Sequence, residues 1–349
     1  MSSRLFRKRS MHRSEITIDL GAVRHNAARL REALEGAELW VVVKGDGYGH
    51  GALDVSRAAL DAGATALCVA TVPEALNLRC ELREPRVVVM GPCSEEETAQ
   101  AREAGLELVI SAGRLPEGLP IHLKLDTGMG RFGFAELPEP TENTVALMTH
   151  LATADTDPAF AEEQIERFRD AVAGYPELTK HAANSAAALR LPPARFDAAR
   201  CGIALYGLSP FDADPAEDGL ERVLRWRSYV AQVKHLQPGE STGYGRRYVA
   251  ERPTWIGLVP VGYADGFRRD LTGTEVLLGG ERCRAVGTVS MDSFAVELPR
   301  ELPVGEPVTL IGDGILAEEH ARVAGTINYE ITCGIDSSPP RAQREVAGA

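Results

Sequence analysis

Leu39-Trp40-Val41-Val42-Val43-Lys44-Gly45-Asp46-Gly47-Tyr48-Gly49-His50-Gly51-Ala52 passes from an unbroken apolar segment, through a glycine-dense turn, into a stretch of helical period. An apolar run with no polar alternation predicts a strand buried on both faces, which is the habit of parallel sheets. The unit then repeats. Strands are expected at Leu39–Val43, Ala66–Ala70, Arg86–Met90, Glu107–Ile110, Ile121–Leu125, Val145–Thr149, Lys180–Ala183 and Ala199–Ile203. Helices are expected at Gly51–Gly63, Pro73–Leu82, Ser94–Gly105, Pro158–Gly174 and Ser185–Leu191, with Pro73 and Ser94 at helix starts. The connections after Ile110 and Phe134 are too short or too proline-rich for a full helix. An open doubly wound sheet competes, but the number of strands favours a closed (β/α)8 barrel in an α/β protein.

Beyond Arg222 the texture changes to short strand-like runs at Trp226–Leu236, Thr254–Gly262, Glu275–Leu278, Cys283–Val289, Ser293–Leu298 and Val308–Ile311. Turn residues such as Leu278-Gly279-Gly280 separate them, and helical pattern returns only at Ala317–Ala324. The expected organisation is a basic, disordered leader over 1–13, the barrel over 14–221 and a C-terminal mainly-β domain over 222–349.

The chain has 349 residues, 44% hydrophobic and 25% charged, with 38 Lys+Arg against 50 Asp+Glu. That composition excludes a disordered protein, and the acidic balance of −12 argues against a nucleic-acid or anionic-membrane surface. No apolar stretch approaches the roughly 18 residues needed to span a bilayer. The six cysteines form no C-x-x-C pair, which fits scattered free thiols in a reducing, cytoplasmic compartment. The eight histidines show no metal-ligand spacing beside a carboxylate, so no metal site is expected.

Chemistry in barrels sits at the carboxyl ends of strands, where Lys44 stands. A lysine at the edge of a dry core has a pKa lowered by desolvation and can form a Schiff base with an aldehyde cofactor. The residues alone leave equally open a lysine that snorkels beside a tight turn.

Val42-Val43-Lys44 with Tyr48-Gly49-His50-Gly51 closely resembles the cofactor-lysine motif of alanine racemases, pyridoxal-phosphate enzymes with a (β/α)8 barrel and a C-terminal β domain. The resemblance extends from Ile16-Thr17-Ile18-Asp19-Leu20 to Asn328-Tyr329-Glu330. Gly45-Asp46-Gly47 departs from the family's usual alanine-flanked tripeptide and implies a looser turn.

Gly128-Met129-Gly130-Arg131-Phe132-Gly133 formally satisfies G-x-G-x-x-G, yet the proline-bearing sequence after it cannot open a regular helix, which excludes a dinucleotide site. The same segment, Lys124 to Arg131, matches a racemase motif instead. The resemblance implies that Arg131 approaches the substrate carboxylate and that a carbamylated Lys124 orients it. It implies that Tyr48, Ser185, Gly202, Ile203 and Tyr329 surround the cofactor phosphate. Asn184 and His181 lie in the same segment, His181-Ala182-Ala183-Asn184-Ser185, whose Asn-Ser pair also reads simply as a helix cap. Arg200 is implied to face the pyridine nitrogen; a permanent cation there leaves that nitrogen unprotonated and the ring a weaker electron sink.

Racemisation removes a proton from one face of a carbon and returns one to the other, so a second acid–base group is required. Leu258-Val259-Pro260-Val261-Gly262-Tyr263-Ala264-Asp265-Gly266 resembles the family segment that carries it, Tyr263, linked in the family through His150 to Arg200. Val286-Gly287-Thr288-Val289-Ser290-Met291-Asp292 resembles the segment whose methionine amide, here Met291, holds the substrate carboxylate with Asp292 nearby. In the family these residues reach a partner subunit's site, which implies a homodimer with composite active sites. Thr288 stands where arginine is common, and Ser337-Ser338-Pro339-Pro340-Arg341 replaces the usual ending. The implied activity is interconversion of L- and D-alanine with pyridoxal 5′-phosphate, supplying D-alanine for peptidoglycan. Lys44 would serve the D-alanine face and Tyr263 the L-alanine face. A broad-specificity or serine racemase is the nearest alternative. A barrel decarboxylase would not need Tyr263, and a non-catalytic cofactor-binding protein would lack the β domain.

Overall fold

The computed structural model describes residues 12–348. They fall into two compact units, Asp19–Val223 and Leu224–Ala347, the latter joined by the strand β1 (Glu15–Asp19).

The first unit is a closed barrel of parallel strands in chain order: β2 (Glu38–Val42), β3 (Ala66–Val69), β4 (Arg86–Val89), β5 (Glu107–Ile110), β6 (Ile121–Lys124), β7 (Thr144–Met148), β8 (Thr179–His181) and β9 (Ala198–Cys201). Closure is made by β2 against β9, with Trp40 beside Arg200 in register. Strands β3 and β6 are buried at every position, which is why they read as continuous apolar runs with single polar insertions such as His122. The helices Val72–Glu81 and Glu95–Glu103 each begin in a capping box, Thr71 with Glu74 and Ser94 with Glu97. No helix separates β5 from β6 or β6 from β7. Gly128–Gly133 lies in a loop, not at the start of a helix, in keeping with the exclusion of a dinucleotide site.

The second unit is built on a nine-stranded sheet ordered Gln232–Leu236, Thr254–Val259, Phe294–Leu298, Glu281–Val286, Glu275–Leu278, Pro307–Ile311, Leu224–Tyr229, β1 and Gln343–Ala347. Buried Trp226, Phe267 and Phe294 form part of its core, the two phenylalanine rings stacked at 4.1 Å. The run expected as one strand over Trp226–Leu236 is two strands. At Val230-Ala231 the chain changes partner, Val230 bonding to Glu306 and Ala231 to Leu258.

The first unit thus begins at Asp19, five residues later than the expected start at 14, because β1 pairs antiparallel with Leu224–Tyr229. Its burial alternates, with Ile16 and Ile18 inward, unlike the barrel strands. Of the leader expected over 1–13, residues 1–11 lie outside the described residues. Arg13 is fixed, donating from both terminal nitrogens to Asp265 at 2.7 and 2.9 Å.

Candidate active site

Lys44 stands just past the carboxyl end of β2, and the turn after it is left-handed: Gly45, Asp46 and Gly47 have φ of 60°, 49° and 62°. L-residues lose roughly 1–2 kcal/mol each in that conformation, whereas glycine does not. The two glycines therefore suit the turn and do not loosen it. Two side chains clamp it: Glu74, from the helix Val72–Glu81, accepts from Gly45 N–H at 2.7 Å, and the turn's own Asp46 accepts from Ala52 N–H, at the start of the next helix, at 2.9 Å. Lys44 itself is exposed. Burial shifts Lys124, at the end of β6: desolvation first, then the charges of Arg200, Arg131 and Lys44, push it down to about 8.

Arg200 is buried on β9. Its Nη1 lies 2.8 Å from His181 Nδ1, and its Nη2 donates to the Thr149 carbonyl at 2.9 Å and lies 3.2 Å from His150 Nδ1. Both terminal nitrogens are committed, while Nε has no acceptor among the described residues. His150 is pushed down to about 3 by desolvation and by the positive charges of Arg200, Lys124, Arg131 and Lys44. Those mutual influences bring Lys44, Lys124, Arg131, His150 and Arg200 together at one end of the barrel. A cluster of cations within a chain of net charge −12 marks this mouth for an anion.

Ser185 begins the helix Ser185–Arg190, and its Oγ accepts from the amides of Gly202 at 3.0 Å and Ala204 at 3.3 Å. These amides open the short 3-10 turn Ile203–Tyr206 directly after β9. A Cβ at Gly202 would lie 2.6 Å from the Tyr48 hydroxyl oxygen, so only glycine lets the tyrosine approach. Asn184 caps the helix through its side-chain oxygen, which accepts from Ala187 N–H at 3.0 Å.

Asp126 Oδ1 gathers the N–H groups of Gly128, Met129 and Gly130 at 3.0, 2.8 and 3.1 Å, shaping the loop that carries exposed Arg131. A residue the sequence reading passed over ties this loop to His150. Buried Gln164 accepts from Ala152 N–H at 2.8 Å and donates to Thr127 Oγ1 at 3.2 Å and to the His150 carbonyl at 3.3 Å. An uncharged polar side chain on the inner face of an amphipathic helix was its only signal.

In the second unit, Tyr263 and Met291 are joined through the backbone. Tyr263 N–H donates to Ser290 O at 3.1 Å and Ala264 N–H to Met291 O at 3.0 Å. Both side chains are open, Tyr263 at 43% and Met291 at 53% exposure. Beneath them, fully buried Asp265 accepts from Arg13, from Arg341 Nε at 2.9 Å and from Gly262 N–H at 2.9 Å, fixing the turn before Tyr263. Arg341 also reaches Asp292 at 3.0 Å, so the variant ending still delivers an arginine to this turn. Thr288 is buried and donates to the Tyr244 carbonyl at 3.0 Å, and Tyr329 is half-buried on the helix Asn328–Cys333.

Residues 18–210 match the family model of the alanine racemase N-terminal domain, and residues 223–343 that of its C-terminal domain. The chain is 40% identical to alanine racemase 1 of Bacillus subtilis over 93% of its own length and 91% of the relative's. It is 38% identical to the alanine racemase of Lactiplantibacillus plantarum, over 94% and 96%. Among solved structures it is similar to the alanine racemase of Streptomyces lavendulae, with a TM-score of 0.89, 33% identity and 98% of each chain covered. It is also similar to that of Bacillus anthracis with bound L-Ala-P, with a TM-score of 0.85, 34% identity, and 96% and 95% covered. With both domain models matched in order and relatives alike over nearly their full length, the chain belongs to the alanine racemase family, pyridoxal 5′-phosphate-dependent isomerases that interconvert L- and D-alanine.

Proposed function

We propose that Lys44 and Tyr263 are the opposed acid–base pair of this alanine racemase, Lys44 serving the D-alanine face and Tyr263 the L-alanine face. The observation that carries the reading is the group of positive charges at the barrel mouth, with Ser185, Gly202 and Tyr48 gathered about the end of β9. The barrel residues fit pyridoxal phosphate on their own terms. Gly202 admits the Tyr48 hydroxyl, whose oxygen lies 2.6 Å from where a Cβ would stand, and Ser185, whose Oγ accepts from the Gly202 and Ala204 amides, has its own hydroxyl proton to donate to a phosphate. Arg200 keeps a donor nitrogen without a protein acceptor among the described residues.

In this reading Ser185, Gly202, Ile203, Tyr48 and Tyr329 hold the phosphate, with Asn184 setting the helix start. Arg200 would donate to the ring nitrogen, and Lys44 would hold the cofactor until the substrate's amine takes its place and frees the Lys44 amine. When bound, the cofactor withdraws electrons from the substrate's α-carbon and so acidifies its hydrogen. Arg131 and the Met291 amide orient the substrate carboxylate, with Lys124 and Asp292 in support. The Lys44 amine then takes or gives a proton on one face and the Tyr263 hydroxyl on the other. His150, held neutral, accepts from Arg200 at Nδ1 and keeps its Nε2 proton for the phenol.

Tyr263 and Met291 are presented outward. That exposure supports a homodimer in which each copy completes the other's barrel mouth. No helix among the described residues is long and apolar enough to cross a membrane, and the free cysteines support a cytoplasmic enzyme. The test is complementation: Lys44→Ala and Tyr263→Phe, each inactive alone, regain racemisation when unfolded together and refolded into mixed dimers. Two inactive parents that stay inactive as a proven mixed dimer refute the composite site.

A further inference from the structure

The barrel interior holds a line of polar side chains to which the acid–base reading gives no work. From Arg200 Nη1 it passes to His181 Nδ1 at 2.8 Å, from His181 Nε2 to His122 Nδ1 at 3.0 Å, and from His122 Nε2 to Glu107 Oε2 at 2.8 Å. Glu107 also receives Arg86 Nε and Nη2 at 2.9 and 3.0 Å. Arg86 and Glu107 are the first residues of β4 and β5, so the line descends from the barrel's mouth to its amino-terminal base. The other ionisable groups that face it are Glu38, 3.7 Å from Arg86 Nη1, His150 and Lys124 at the Arg200 end, and Cys68 and Cys201 on flanking strands, both thiols pushed up to about 12 by burial.

Proton counting fixes a direction. A carboxylate only accepts, and Glu107 is held down at about 2: burial alone would raise it, but hydrogen bonds from His122 and Arg86 outweigh that. His122 Nε2 therefore carries a proton. Burial favours neutral His122, whose Nδ1 is then a lone pair that only a protonated His181 Nε2 satisfies. His181, held neutral by burial and by the charge of Arg200, is left with Nδ1 as an acceptor, and a guanidinium has only donors to offer. Three successive hydrogen bonds thus point the same way, from a buried cation to a carboxylate. Reversing one of them sets donor against donor or lone pair against lone pair at its neighbours.

We propose that Glu107, acting through His122 and His181, is a positioning residue for Arg200. It locks His181 as an acceptor, which pins Nη1 and leaves Nε to donate at the barrel mouth. This rests on the placement of Arg200 against the cofactor's ring nitrogen. The consequence is that a carboxylate at the base of the barrel tunes a contact at its mouth.

The test begins with the native protein. Nitrogen-15 NMR of histidine-labelled protein, with and without cofactor, is expected to show His122 and His181 both protonated at Nε2 and neutral across pH 6–9. A native His181 protonated at Nδ1 overturns the proposal without any variant. In the folded Glu107→Leu protein, which takes the acceptor away from His122 Nε2–H, the Nδ1–H forms of His122 and then of His181 are expected to gain population at the expense of the contact with Arg200 Nη1. The pH at which the bound cofactor's absorption changes moves, and kcat falls by about tenfold with KM for alanine little changed, the scale typical of groups that orient a first layer of contacts. A variant that loses thermal stability alone, with tautomers, cofactor absorption and kcat unmoved, shows Glu107 to be only structural and overturns the proposal. Arg200→Leu separates the two levels. If it too leaves the cofactor absorption unmoved, the fault lies in placing Arg200 against the ring and not in the histidine line.

Discussion

Nη2 of Arg200 lies 3.2 Å from Nδ1 of His150, joining the most buried cation of the barrel mouth to an imidazole that its charge helps keep neutral. The contact gives the histidine a fixed tautomer, because a guanidinium can only donate. It also makes the barrel sensitive to acid.

That sensitivity has a definite sign. His122, His150 and His181 all have pKa values lowered from the ordinary 6.5 by burial, so below that pH the unfolded chain binds protons that the folded chain does not. Stability therefore rises with pH in that window and falls on acidification, for His150 down to about pH 3. Each histidine adds a slope of up to about 1.4 kcal/mol per pH unit. Urea midpoints between pH 7 and pH 4 should fall, and fall less steeply in His150→Gln. Equal slopes in the two proteins would contradict the assignment.

Gln164 links the segment after His150 to the loop bearing Arg131. Gln164→Leu keeps the bulk but strands the Ala152 N–H in the interior, a loss of about 1–3 kcal/mol. The thermal midpoint should drop. Alanine KM should rise more than kcat falls, because the displaced group, Arg131, is the one proposed to orient the substrate carboxylate. An unchanged KM with a lowered midpoint would confine Gln164 to folding.

Gly202→Ala places a methyl group 2.6 Å from the Tyr48 hydroxyl oxygen. Tyr48 must withdraw, and the prediction is a loss of about tenfold or more in pyridoxal phosphate affinity, or roughly 1.4 kcal/mol. Titration of cofactor into apoprotein, followed by absorbance, checks it. Wild-type affinity would show that neither residue borders the phosphate.

Lys124, with a pKa near 8, carries an appreciable fraction of free amine at neutral pH. Carbon dioxide can then add to its nitrogen with release of a proton, giving a carbamate whose negative charge suits Arg200 and Arg131 around it. Carbon-13 NMR in labelled bicarbonate should show a carbamate carbonyl that Lys124→Met lacks. No such signal in the native protein would contradict the modification.

Much of this molecule was legible in its sequence. The barrel strands could be read because burial on both faces leaves a run with no polar alternation, as in Ala66–Val69. β1 was misassigned to the barrel because its partner strand lies about two hundred residues away, at Leu224–Tyr229. Its alternating Ile16 and Ile18 were the available sign of a sheet with one covered face. The motif residues Lys44, Arg200 and Tyr263 stood out through resemblance, whereas Gln164, Glu107 and Asp265 did not. Each of these acts by holding another residue, and such a role is set by contacts across the fold that spacing along the chain does not encode. His122 left a faint mark, a histidine inside the apolar strand Ile121–Lys124.

The central claim is that two residues serve opposite faces of one carbon, and isotope exchange in heavy water tests it most directly. Native protein should invert alanine and wash deuterium into both enantiomers. Tyr263→Phe should lose inversion by a factor of about a thousand, the scale of a removed acid–base catalyst, while Lys44 still exchanges the α-hydrogen of D-alanine and L-alanine stays unlabelled. A Tyr263→Phe protein that inverts alanine at the native rate, or labels both enantiomers equally, would contradict the two-base assignment.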